Sequence, residues 1–435
     1  MPLADVRRTA CRLMRLPRGA THSRGLTTVA VGVSGGVDSS VAALLLKEQG
    51  HDVIGVHMTN WDIAEEGEEA CGEQEARDAH RVCEKLGIGF HRVSFVREYW
   101  NDVFTPFLDG YLAGGTPNPD VACNRLIKFD RFMEHALSLG ADRVATGHYA
   151  RLSHQPDRSR LLLAADASKD QTFFLATVRQ DALRRCDFPL GGLLKSEVRA
   201  RAEEAGLHTA QKRDSTGICF IGRRNFADFL EGYLPQEPGE FVCVETGASL
   251  GEHRGYAMYT PGQRARVGGQ AARYYVVDKD VESNVVRLAA GSDHPALFAR
   301  EVRTAVNPSW IGGAPPPQLL QGEASRHHAR VRHPGELLPC SARLVNLEDS
   351  SAAGHAAGAH SNACADALGP HSALHLTFDH PIRYPAEMQA VALYDGDECL
   401  GGAIVQERGQ TLWEELCGLH RGFSGSPGAT TLVGG

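Results

Sequence analysis

Val29-Ala-Val-Gly-Val-Ser-Gly-Gly-Val-Asp-Ser-Ser40 decides the fold of this 435-residue chain. The β-branched residues Val29, Val31 and Val33 read as a buried strand. Ser34-Gly35-Gly36 ends it in a tight turn, and Ser39 opens the apolar helical run Val41–Leu46, which Gly50 stops. Strand, glycine turn and helix start in that order bring free backbone N–H groups and the positive end of a helix dipole to one point, which favours a phosphate. The loop has no lysine of the Walker A kind, the residue that reaches the outer phosphates in γ-phosphoryl transfer. It carries Asp38 instead, and an acid beside a phosphate nest calls for Mg²⁺ or a substrate cation. An ordinary glycine-rich turn is the bland alternative, set aside because glycines, acid and serines all fall in the right context.

Composition narrows the rest. Apolar residues make up 42% of the chain and charged residues 23%, the balance of a globular protein long enough for two or three domains. No apolar run approaches the roughly 20 residues that span a bilayer, so no membrane partner is expected. Eleven cysteines without a C-x-x-C pair fit neither a disulfide framework nor a simple zinc site, and no metal site is assigned. Residues 1–27 hold six arginines and one acid, Asp5, and read as a mitochondrial transit peptide, which places the rest in the matrix. That segment contributes a net +5, so the remainder has −13, and any nucleic-acid partner must find a local basic surface. The candidate is 179–226, with ten Lys/Arg against six acids.

Outward from the loop, Val53–Met58 reads as the next parallel strand, whose end reaches toward a bound nucleoside, so Met58 is a candidate contact. Helical spacing follows over Glu73–Leu86, a short strand over Phe90–Val93 and a helix over Tyr99–Leu112. The rigid segment Pro117-Asn-Pro-Asp-Val-Ala-Cys123 leads into a helix expected to begin near Cys123, where the dipole favours a thiolate. Asp120 beside it is a candidate proton acceptor or donor. Gly147 and His148 fall at the carboxyl end of a strand, where α/β sites form. Lys169-Asp170-Gln171 precedes an apolar helix, Thr172–Val178. Cys219, flanked by cations, is a second special thiol. From about 233 the texture turns to short alternating strands, a small β-rich module over 233–300. An all-β region over 301–421 reads as a barrel, with Arg332-His333 and Met388–Tyr394 on strands. It is interrupted by a disordered insertion, 350–373, and 422–435 is a flexible tail.

Five stretches stand in the order found in the tRNA-specific 2-thiouridylases, within the ATP pyrophosphatase (PP-loop) superfamily. They are Ser34–Ser39, Pro117–Asn124, Ala145–Tyr149, Lys169–Gln171 and Gly217–Gly222. With its arginine-rich leader the chain most resembles the mitochondrial members. The resemblance implies an α/β fold: a PP-loop parallel-sheet domain over 28–232 related to the adenine nucleotide α-hydrolases, then the β-rich module and C-terminal β-barrel. It implies ATP as co-substrate with Mg²⁺, adenylation of the C2 oxygen of a tRNA wobble uridine, and release of AMP and pyrophosphate. A persulfide on Cys219, charged by a sulfur-donor protein, would supply the sulfur. Cys123 would resolve the linkage, leaving a Cys123–Cys219 disulfide, and Asp120 would handle the proton. Gly32, Val33, Ser34, Gly35, Gly36, Val37, Asp38, Ser39, Met58 and Gly147 resemble the ATP contacts. Asn118, Pro119 and Asp120 resemble the region holding the target base. His148, Lys169, Asp170, Gln171, Arg332, His333 and Gln389 resemble tRNA contacts in the anticodon stem-loop, whose unpaired bases expose readable edges.

Two other readings use the same residues. A PP-loop enzyme that adenylates a small substrate for amination or ligation needs neither cysteine and releases AMP with a metabolite. A non-catalytic ATP- and RNA-binding module with redox-sensing cysteines would bind tRNA without forming AMP. Oligomeric state is not legible in the sequence.

Overall fold

In a computed structural model, residues 27–61, 71–214, 226–235, 237–347, 372–383, 385–419 and 423 are described. The arginine-rich leader up to residue 26, Cys219 and residues 348–371 of the insertion region lie outside them. So do the tail residues 424–435.

The quoted stretch forms β1 (Thr28–Gly32) and α1 (Val37–Glu48). β2 (Asp52–Thr59), α2 (Cys71–Leu86) and β3 (Gly89–Ser94) follow. Then come α3 (Val96–Tyr99), α4 (Thr105–Leu112), α5 (Pro119–Cys123) and α6 (Phe132–Ser138). β4 (Arg143–Ala145), the hairpin β5 (Arg151–His154) and β6 (Ser159–Leu162), α7 (Thr172–Leu175), α8 (Gln180–Leu183), β7 (Cys186–Asp187) and α9 (Lys195–Glu204) complete the region. The parallel sheet has the order β3-β2-β1-β4-β7, with β1 central. Period-2 alternation divides β1 between two cores. Val29 and Val31 pack with Val41, Ala79 and Val198 of α1, α2 and α9. Ala30 faces the other layer, with Phe104, Ile127 and Phe132.

The central module is a five-stranded sheet of β8 (Gly239–Cys243), β9 (Ser249–His253), β10 (Arg264–Ala265), β11 (Tyr274–Asp280) and β12 (Val285–Ala290). The C-terminal region supplies β13 (Phe298–Val306), β14 (Ser309–Trp310), β15 (Ser325–Arg330), β16 (Leu338–Asn346), β17 (Ser372–Arg383), β18 (Ala390–Asp395) and β19 (Glu398–Arg408). Six of them run β13-β17-β16-β15-β18-β19, and pairing of β13 with β19 closes the ring. A closed ring removes the sheet edges.

The structure departs from the sequence reading in several places. The helix at Cys123 begins four residues earlier, at Pro119. Asn118 caps it by accepting from the N–H groups of Asp120 and Val121, and proline is favoured at a first helical position. Asp120, not Cys123, therefore sits in the first turn, and beyond Cys123 the chain is wound as a π-helix over Asn124–Arg131. The helix expected over Thr172–Val178 stops at Leu175. Arg332 and His333 lie just past the end of β15, and Met388 and Gln389 in the turn before β18 rather than on strands. Met388 has φ +67°, which no strand residue adopts. β17 takes up Ser372 and Ala373 from the end of the segment read as an insertion. The hairpin β5–β6 was not anticipated: it leaves the parallel-sheet domain and pairs with β19, through Leu161 opposite Cys399.

Candidate active site

The loop after β1 is fixed from both sides. Gly35 has φ +75°, and a Cβ there would lie 2.4 Å from the Glu75 carbonyl oxygen, so only glycine fits. Ser39 Oγ accepts from the Ser34 N–H (3.1 Å), and Ser40 Oγ donates to the Gly36 carbonyl (2.7 Å), so the serines brace the turn into α1. Gly147, past the end of β4, packs flat on that first turn: a Cβ there would sit 2.8 Å from the Ser39 nitrogen. The first-turn N–H groups of α1 have no acceptor within the helix. At the floor, Met58 and Phe132 approach Gly32, with Met58 Cε 3.3 Å from where a Cβ would be. The Val33 carbonyl lies 2.9 Å from His57 Nδ1; burial lowers that histidine's pKa, so the neutral ring donates the bond.

Asp38 finds its cation within the protein. Lys195 Nζ lies 2.7 Å from each of its carboxylate oxygens, and Tyr149 donates to Oδ1 at 2.8 Å. Burial, then the charge of Asp38, raises the Tyr149 pKa, so the phenol keeps its proton. Lys195 also meets Asp214 (3.0 Å), which takes Lys169 (3.0 Å) and Arg199 (2.5 Å) as further partners. Burial opposes ionisation of Asp214, but its bonds to Lys169 and Lys195 prevail and hold its pKa at about 2. Lys212 donates to the Gly35 carbonyl (3.0 Å) and to Asp78 (2.8 Å), locking the back of the loop. Much of the basic stretch expected to meet RNA has partners within the chain, some of them at the surface: Arg184 on the carbonyls of Pro156 and Asp157, Arg201 beside Glu48, and Arg179 paired with Asp181.

The helix of Asp120 and Cys123 is reached through His148. That residue is buried, accepts or donates at Thr146 Oγ1 (2.7 Å) and packs between the rings of Phe129 and Phe188. Burial, reinforced by Lys128, lowers its pKa well below the ordinary value, so the ring is neutral. Cys123 is 2% exposed. Asp120 is half-buried; desolvation raises its pKa, and Lys128 and His333 pull it back only in part. A raised carboxyl suits a proton carrier.

The remaining sequence candidates join the domains. Asp170 is 2% exposed and pairs with Arg330 (2.6 Å) across the seam to the barrel, while accepting from Thr172 Oγ1 (2.6 Å) and the Ala164 N–H (2.8 Å). His333 Nε2 meets the Asp170 carbonyl at 2.8 Å, and Gln171 accepts from the Tyr149 N–H at 2.9 Å. Gln389 donates to the Thr116 carbonyl (2.6 Å) and lies 3.5 Å from Asn118. Arg332 is exposed. A cleft of about 300 Å³ opens between this seam and α5. Its wall takes Asn118, Pro119, Val121, Ala122, Arg125 and Leu126, but neither Asp120 nor Cys123.

Lys195, Asp214, Lys212, Asp78 and Arg330 were not singled out from the sequence as site residues. Lys195 and Lys212 entered only as members of the basic stretch, Lys212 also as a cation flanking Cys219; the cation that Asp38 called for was expected to be Mg²⁺ or a substrate, not a lysine 157 residues away.

A parallel sheet whose central strand feeds a glycine loop at a helix N-terminus, ringed by lysines, defines a nucleotide-binding α/β enzyme domain with two β modules behind it. Family models agree: residues 27–223 match the tRNA methyl transferase HUP domain, 227–290 the tRNA methyl transferase PRC-barrel domain and 360–405 the aminomethyltransferase beta-barrel domain. The chain is 45% identical over 383 residues to the tRNA-specific 2-thiouridylase MnmA of Bacillus pumilus, covering 88% of this chain and 95% of that one. It is 43% identical to that of Bacillus subtilis, covering 89% and 98%. It is also 41% identical to the mitochondrial tRNA-specific 2-thiouridylase 1 of Gallus gallus, covering 90% and 95%. The chain belongs to the tRNA-specific 2-thiouridylase family.

Proposed function

We propose that this protein converts the wobble uridine of tRNA to 2-thiouridine at the expense of ATP. The observation that carries the reading is the Gly147-His148-Tyr149 turn, which touches both halves of the chemistry. Gly147 and Tyr149 rest on Ser39 and Asp38 of the nucleotide loop, and His148 rests on Phe129 of the helical run that starts at Pro119 and holds Asp120 and Cys123. On this reading a base brought to Asp120 meets the α-phosphate of a nucleotide held at the loop. Asp38, at the same site, would hold Mg²⁺ together with phosphate oxygens of the nucleotide.

In the step this arrangement supports, the uridine C2 oxygen attacks the α-phosphorus and pyrophosphate leaves. The terminal sulfur of a Cys219 persulfide, charged by a donor protein, adds to C2. The Cys123 thiolate then attacks the Cys219 sulfur, breaking the S–S bond; a Cys123–Cys219 disulfide forms, AMP departs and the sulfur stays on C2. Asp120 carries the proton. Asn118, Pro119 and Asp120 hold the unstacked base, and Arg332, His333, Lys169, Gln171 and Gln389 line the tRNA side, with His148 and Asp170 supporting them from within. Residues 1–27 direct the chain to the mitochondrial matrix, which a fluorescent fusion of that segment tests by its location.

A single-turnover assay tests the reaction. Protein lacking residues 1–27 is mixed with ATP, Mg²⁺, a persulfide donor and tRNA with an unmodified wobble uridine, following AMP and thiolated tRNA together. Sulfur must enter the tRNA with wild-type protein and fail to enter with Cys123→Ser or Cys219→Ser. AMP without sulfur leaves only the adenylation reading, and neither product removes the enzyme reading.

A further inference from the structure

The loop's own sequence provides no cation for the phosphates, yet one stands at its mouth. We propose that Lys195 is the phosphate-binding cation of this site, reaching the loop from α9 in place of the lysine that the loop lacks. The inference rests on the nucleotide reading above and names the residue that makes it electrostatically workable.

Three features of the geometry support it. The first is position. Asp38 is the second residue of α1, in the turn whose N–H groups face a phosphate, and the Lys195 ammonium lies 2.7 Å from both of its oxygens. The second is burial. The Lys195 side chain is only 13% exposed, whereas Asp38 and Asp214 are 32% and 29% exposed. The ammonium has already been withdrawn from water, so a phosphate meeting it need not strip a full hydration shell. The third is replacement. Asp214 holds Lys169 and Arg199 as well as Lys195, so it stays paired when the Lys195 ammonium turns to a phosphate, and Lys212 is matched by Asp78.

The lysine is also held in place. Its backbone N–H donates to Asp166 (2.9 Å), and its ammonium lies 5.6 Å from the centre of the Tyr149 ring. When phosphate takes the ammonium, Asp214 keeps Lys169 and Arg199, and Asp38 is released from its ion pair to face Mg²⁺. A cation already held at the mouth of the loop contributes to phosphate affinity, and binding exchanges its ion pair with Asp38 for one with the phosphate.

The test compares ligands with and without phosphates on the full chain. Binding of α,β-methylene-ATP with Mg²⁺, which cannot be split between the α and β positions, is measured by calorimetry, and adenosine binding by saturation-transfer NMR. Lys195→Gln is expected to weaken the analogue at least tenfold and leave adenosine within twofold. Lys195→Arg should recover part of the loss, and the wild-type affinity should fall with salt more steeply than that of Lys195→Gln. An unchanged analogue affinity in Lys195→Gln overturns the proposal. So does equal loss of both ligands in Lys195→Gln and Lys195→Arg, which would make the lysine a structural brace. If the wild-type chain binds adenosine but not the analogue, the phosphate assignment falls; if it binds neither, the nucleotide reading itself falls.

Discussion

Replacing Arg330 by methionine isolates a buried charge at the seam between the parallel-sheet domain and the barrel. Arg330 and Asp170 are 8% and 2% exposed, with Nη1 2.6 Å from Oδ1. Removing one member of a buried pair costs about 3–5 kcal/mol, because the other is left uncompensated. Asp170 would retain the Ala164 N–H and the Thr172 hydroxyl, which places the expected loss near the lower end, about 3 kcal/mol, or roughly a hundredfold in the equilibrium. The assay is urea unfolding of wild type, Arg330→Met, Asp170→Asn and the double variant, followed by far-UV circular dichroism and tryptophan fluorescence to separate the domains' transitions. Each single variant should lower the midpoint of the barrel transition, and the double should lose less than the sum, with a coupling of about 1–3 kcal/mol. Single losses below about 1 kcal/mol, or strict additivity, would refute the reasoning. If Asp170→Asn instead weakened tRNA binding with no shift of midpoint, Asp170 would be an RNA contact rather than a brace.

Gly35→Ala puts a methyl 2.4 Å from the Glu75 carbonyl at φ +75°, and should abolish binding of α,β-methylene-ATP while leaving the far-UV spectrum intact. Asn118→Ala removes the cap of α5 and should cost about 1 kcal/mol in the urea midpoint, with a larger fractional loss in thiolation rate because Asp120 sits in that first turn. For Asp214 the folded pKa is depressed to about 2, so its stabilisation is complete above the ordinary carboxylate value and is lost as pH falls toward 2; urea midpoints between pH 2 and 6 should converge for wild type and Asp214→Asn at the acid end. For Asp120, whose pKa is raised, the limb it governs in the pH–rate profile should lie above the ordinary carboxylate range and vanish in Asp120→Asn, and a profile unchanged by the substitution would remove Asp120 from the proton path.

The nucleotide-binding architecture was legible because its signals are local. Val29 to Ser40 encodes strand, turn and helix by period and by glycine, and the five motifs lie in short runs. What was not legible depends on long separations. Lys195 and Asp38 are 157 residues apart, and Arg330 and Asp170 are 160 apart; no period in either stretch points to the other. The start of the Cys123 helix was misplaced because two prolines suggested a rigid non-helical approach, whereas Pro119 occupies the first helical position under an Asn118 cap. Met388 and Gln389 sit in an apolar alternating run that reads as strand, yet the chain must bend there so that Met388 can pack on Gly110 and Gly115. Tertiary contact overrode local preference at that point.

The hairpin Arg151–Leu162 ties the parallel-sheet domain to the last barrel strand in time as well as in space. Its outer strand pairs with residues 398 and 399, so a ribosome must add more than two hundred residues before that strand finds its neighbour. Until then its backbone groups form an open template for another chain, with Arg158 and Arg160, the later partners of Glu398, beside it. A fragment ending at residue 232 keeps the whole nucleotide loop and also keeps that open edge. The nascent enzyme therefore passes through a stage at which its catalytic domain has been made and its sheet has not been sealed.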